Sequence, residues 1–129
     1  MKPPSPKRIS FSWDEGVYLD AWTVVHLLTG VAFAAGFLIF SKSLLLGLAI
    51  ITLLTVVYEI GEYIFGILEH IHNSAVDVIV ALAGYAIYVQ IFFAHSPDVH
   101  WKSLAFVSAI NLFLAYLGHR AYRRRMKKQ

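Results

Sequence analysis

Residues 43–68 read SLLLGLAIITLLTVVYEIGEYIFGIL, and the reading of this stretch decides the fold. It is apolar throughout its first half and long enough for a helix to cross a hydrocarbon layer, which takes roughly 20 residues for ~30 Å. Near its end stand two acids, Glu59 and Glu62, and no Lys or Arg occurs anywhere between Lys42 and Lys102. An ionisable group at membrane depth is costly, so such residues are rare and by default mark a site. What neutralises these acids is the central question about the chain.

Three further apolar spans lie outward from this one, over 21–40, 74–94 and 101–118, separated by the links Ser41-Lys42, Glu69 to Asn73, and His95 to His100. Backbone groups in lipid must pair within their own segment, which leaves helices as the economical form. Short links make successive helices antiparallel. The expectation is an all-α protein, a four-transmembrane-helix bundle over residues 21–118. Ahead of it, residues 1–20 form a tail and an interfacial segment in which Phe11, Trp13 and Tyr18 mix with Asp14, Glu15 and Asp20. Behind it, residues 119–129 form a basic tail.

Composition agrees. Of 129 residues 58% are hydrophobic and 15% charged, where a soluble domain carries roughly 25% charged residues, and mean hydropathy is +0.63. The absence of cysteine excludes disulfides, thiolate metal sites and cysteine nucleophiles. The basic start lacks a small-residue cleavage site before the first apolar run, so that run is expected to remain as an anchor. Lys2, Lys7 and Arg8 precede the first span, and Arg120, Arg123, Arg124, Arg125, Lys127 and Lys128 follow the last. The positive-inside bias therefore puts both termini in the cytoplasm. The basic C-terminus also suits attraction to anionic lipid, and the bilayer explains it without any nucleic-acid partner.

With about 100° per residue, Thr52, Thr55, Glu59, Glu62, Gly66 and Glu69 fall on one stripe of the second span. Asn73, Asp77, Gly84 and Tyr88 share a face of the third, and His26 lies beside Thr23, Thr29 and Gly30 on the first. Counting about 1.5 Å per residue from the span midpoints puts His26, Glu59, Glu62 and Asp77 in the cytoplasmic half of the bilayer. Asp20, Glu69, His70, His72 and Asn73 fall at its boundary. One polar pocket built by three helices is expected. Two carboxylates about 5 Å apart repel by about 3 kcal/mol at an effective dielectric of 20, so the pocket must hold either protons or a cation. Oxygen ligands with one imidazole suit a divalent metal ion such as Zn, Mn, Fe or Mg. The candidate ligands are Glu59, Glu62, Asp77 and His26, with Asp20, Glu69, His72 and Asn73 at the rim. Asn111, in the middle of the fourth span, reads as an interhelical hydrogen-bond former, and His95, His100 and His119 read as boundary residues.

The run Tyr58-Glu59-Ile-Gly-Glu62, followed by Asn73-Ser74-x-x-Asp77 and Gly84 and preceded by Asp20 and His26, resembles the VanZ-like small bacterial membrane proteins. A neighbouring uncharacterised family with the same Glu-x-x-Glu and Asn-Ser-x-x-Asp pattern fits equally. The resemblance covers roughly residues 18–90 and implies a compact helical protein of the bacterial cytoplasmic membrane, in a group linked to glycopeptide resistance. It matches Asp20, His26, Glu59, Asp77 and Gly84 to the group's signature positions. The chain departs from the pattern at Glu62, where the group often has Gln, at Ala81, where it usually has Asn, and in a link with His70 and His72 but no Arg. These departures make the pocket more acidic and favour a cation or protons over an anion. Three readings stay open: a metal-dependent membrane enzyme acting on a lipid or headgroup, a proton or ion path, and a structural or accessory subunit. The last would work with a membrane protein partner or as a homo-oligomer.

Overall fold

The computed structural model describes Ile9, Ser12, Trp13 and residues 18–65 and 71–126. Four helices make up most of the described residues: α1 (Ala21–Phe40), α2 (Leu44–Ile64), α3 (Ile71–Phe92) and α4 (Pro97–Met126). All four are long and apolar enough to cross a membrane. Phe40, Leu45 and Phe65 are each about four-fifths exposed or more; such faces suit lipid, whereas a soluble monomer does not carry them in continuous bands. The protein is an all-α four-helix bundle of the integral membrane class.

Each helix boundary has a local cause. Asp20 caps α1: its Oδ1 accepts from the Trp22 N–H at 2.8 Å, and Thr23 Oγ1 accepts from the Asp20 N–H at 3.2 Å, completing a capping box. Extended backbone at Ser41 and Ser43 ends α1 and starts α2. Pro97 opens α4, a position where its missing N–H costs nothing. The fourth helix does not stop at residue 118 but runs on to Met126. Ala, Arg and Met, which fill most of residues 119–126, are good helix formers, so the backbone continues where the apolar pattern ends. Likewise α3 starts at Ile71, which places His72 and Asn73 in its first turn rather than in the link.

α1 is the centre of the bundle. It packs most extensively on α3 and next on α4, while α2 leans mainly on α3. Small residues make the α1–α3 contact possible: Gly30 lies against the Ala81 carbonyl, and Gly84 against the Leu27 carbonyl. A Cβ at either glycine would run into backbone, which is the close approach that small residues permit between membrane helices. Ala34, Ala35 and Leu38 of α1 continue the core with Ile51 of α2 and Tyr85 and Tyr88 of α3. The Tyr85 hydroxyl donates to the Leu44 carbonyl at 2.9 Å and ties α3 to the start of α2. On the other flank, Trp13 and Trp22 pack edge to face, 5.2 Å apart, over Gly118 of α4.

Candidate functional site

The helix packing brings three ionisable side chains from three helices together. His26 of α1, Glu59 of α2 and Asp77 of α3 each offer a ligand atom, and these atoms lie within 4.8 Å of one another. His26 Nε2 is 3.7 Å from Asp77 Oδ2, and Asp77 is almost wholly buried. Asn73, one turn before Asp77 and fully buried, holds the arrangement: its Nδ2 donates to Asp77 Oδ2 at 3.2 Å and to Asp20 Oδ2 at 3.4 Å. Asp20 thus caps α1 with one oxygen and faces the site with the other. The Ser74 side chain bonds the Glu59 carboxylate, and Glu59 Oε2 is buried with no hydrogen-bond partner among the described residues. The Tyr58 ring lies edge-on to His26 at 5.7 Å.

Glu62 does not join this group; it lies nearly one turn further along α2 and bonds the Tyr58 side chain. Three residues of helix turn through about 300°, so Glu59 and Glu62 share a stripe, and the Glu62 charge acts on the Glu59 carboxylate from outside the group of three. Of the rim residues, Asp20 and Asn73 are drawn into the network. His72 is exposed and stands 5.6 Å from the Tyr18 ring. Glu69 and His70 lie outside the described residues. Asn111 bridges helices as its sequence position implies, donating to Thr29 Oγ1 of α1 at 2.9 Å.

One polar cluster gave no signal in the sequence. His100 is fully buried at the start of α4, with Nδ1 3.0 Å from the Tyr88 hydroxyl and Nε2 3.2 Å from Lys42 Nζ. Lys42 also donates to the Phe93 carbonyl at 3.1 Å and sits over the Phe93 ring. Only the general rule that a buried histidine needs two partners would have pointed to it, and those partners are remote in sequence.

The donor set at the first site is one imidazole and two carboxylates, and α1, α2 and α3 contain no Lys or Arg to balance them. A tetrahedral metal with bonds of ~2.1 Å places its ligands ~3.4 Å apart, close to the His26–Asp77 separation. The widest separation, within 4.8 Å, exceeds that spacing by up to about 1.4 Å. Nitrogen with oxygen ligands suits zinc, manganese or iron. Comparison with protein families, with characterised proteins and with solved structures finds no match to this chain.

Proposed function

We propose that this protein binds one divalent cation inside the membrane through His26, Glu59 and Asp77, and that protons take the cation's place when it is absent. The observation that carries the reading is the convergence of those three side chains from three helices, with the buried Glu59 Oε2 lacking a donor among the described residues. Asn73, itself bonded to Asp20, orients Asp77 by a hydrogen bond, as groups that hold a metal's ligands in place commonly do. Three protein ligands leave at least one coordination position open, so a bound metal could activate water or meet a lipid headgroup.

The surrounding assignment follows the sequence. The charge of the two tails puts both termini in the cytoplasm and the site in the inner half of the bilayer, and the basic end of α4 favours anionic lipid. The motif resemblance suggests a VanZ-like bacterial protein of the cytoplasmic membrane that serves the cell envelope. With no cysteine in the chain, single cysteines at Ser96 and Gln129 can be labelled with an impermeant maleimide. Labelling of Ser96→Cys from outside and of Gln129→Cys only after lysis is the expected topology, and the reverse pattern rejects it.

Metal titration of the purified protein tests the site. One equivalent of Zn²⁺ or Mn²⁺ should bind to the wild type and not to Glu59→Gln. A wild type that binds neither ion at neutral pH removes the proposal.

A further inference from the structure

His100 sits at the end of the bundle away from His26, Glu59 and Asp77, wholly buried at the start of α4. Each of its ring nitrogens has a partner: Nδ1 is 3.0 Å from the Tyr88 hydroxyl and Nε2 is 3.2 Å from Lys42 Nζ. An ammonium can only donate, so Nε2 must accept and the ring proton must sit on Nδ1, facing Tyr88. A lysine 58 residues away in sequence therefore holds neutral His100 in one tautomer. The same ammonium donates to the Phe93 carbonyl at 3.1 Å. One side chain thus ties the α1–α2 link to the end of α3 and to α4.

The surroundings of His100 hold no counter-charge for a second proton among the described residues. Lys42 faces it from the α1–α2 link and Tyr88 from α3. His95, on the α3–α4 link beside the Phe92 ring, adds a second imidazole whose charge reaches His100. On α4 itself Asp98 is taken by Lys102 at 2.6 Å, both of them exposed. Asp98 is the only acid in the sequence after Asp77. The ionisable residues of α1 and α2 are His26, Tyr58, Glu59, Glu62 and Tyr63, all toward the opposite end.

We infer that His100 is an acid-sensitive latch: a proton on Nε2 turns the acceptor of the Lys42 bond into a donor and releases the α1–α2 link from α4. Two cationic donors 3.2 Å apart share no hydrogen bond, and no carboxylate stands by to hold them together. The bond is whole while His100 is neutral, at neutral and alkaline pH, and is lost as the pH falls and the ring gains its second proton. An ordinary histidine makes that change near pH ~6.5, which suits this side chain to pH switches. The Tyr85 bond to the Leu44 carbonyl carries no charge, so acid loosens the link and leaves α2 attached to α3. The topology proposed above puts this end on the side away from the cytoplasm, where the latch meets the pH of the surroundings. None of the metal ligands takes part, so the inference stands whether or not a cation binds at the other end.

The experiment is a distance measurement by pulsed electron resonance on the full chain in lipid. Spin labels are placed at Ser43→Cys and Ser96→Cys, both exposed positions in a chain without cysteine. One narrow distance is expected at alkaline pH. On acidification a second, broader population should grow, its ratio to the first rising by up to about tenfold per pH unit, the limit for a single proton. In His100→Gln, whose amide oxygen accepts from Lys42 and does not titrate, the narrow distance should survive acid. In Lys42→Gln the broad population should be present already at alkaline pH. A distribution that does not respond to pH in the otherwise wild-type chain overturns the latch. So does the same response in His100→Gln, which would assign it to His95 or to the acids at the far end. ¹⁵N NMR of the unmutated chain gives a test that needs no variant to fold. At alkaline pH a protonated Nδ1 and a bare Nε2 are expected for His100, and a proton on Nε2 overturns the proposal.

Discussion

The two ends of the bundle use similar side chains in opposite ways. At one end, Asp20, His26, Glu59, Asn73 and Asp77 gather three carboxylates around one imidazole and one amide. At the other, Lys42, Tyr88 and His100 form a chain in which both imidazole nitrogens are engaged and the ammonium also meets a carbonyl. The second cluster joins the link after α1 to the end of α3 and the start of α4. The first is rich in acidic side chains and has no Lys or Arg on α1, α2 or α3 beside it, which is the contrast that the cation reading builds on. Burial alone does not mark a site in a membrane protein; buried acids gathered from several helices make a candidate.

Substitutions at each end should separate these roles. The largest effect is expected for Glu59→Gln, which removes one ligand charge: metal affinity should fall by more than ~100-fold, beyond the 10–100-fold typical of supporting residues, and the metal-free protein should melt no lower than the wild type. A melting temperature that falls without metal would make Glu59 a structural residue. Next comes Asn73→Ala, which leaves the ligands in place but frees Asp77 and Asp20 to move. Affinity should drop ~10–100-fold, and an unchanged affinity would remove Asn73 from the site. At the opposite end, His100→Ala should cost about 2 kcal/mol of stability because it strips the partner from the buried Tyr88 hydroxyl, with metal affinity unchanged. Weakened metal binding there would show the two ends to be coupled. The smallest effect is expected for Glu62→Gln, where a change in affinity below ~3-fold, under 1 kcal/mol, fits a carboxylate outside the group of three. A loss as large as that of Glu59→Gln would place Glu62 among the ligands.

The sequence made the four helices legible, because lipid allows few other forms for long apolar runs. It also showed that Asn73, Asp77, Gly84 and Tyr88 share a face, and all four are buried in the bundle. His26, Glu59 and Asp77 were legible as a group because helical depth can be counted from span midpoints. Angular position was not fine enough to separate Glu62 from Glu59, since a stripe on a helix says which way a residue faces and not where its oxygens end. The reach of α4 to Met126 was hidden because hydropathy reports the solvent and not the backbone. His100 was hidden because its burial depends on Lys42 and Tyr88 closing over it, a tertiary event with no local pattern.

X-ray absorption at the metal edge of protein loaded with one equivalent of Zn²⁺ or Mn²⁺ tests the central claim most directly. A single imidazole nitrogen with oxygen neighbours at ~2.0–2.2 Å, lost in Glu59→Gln, is the predicted shell. A shell of oxygens alone, or one with two or more imidazoles, would contradict a site made by His26, Glu59 and Asp77.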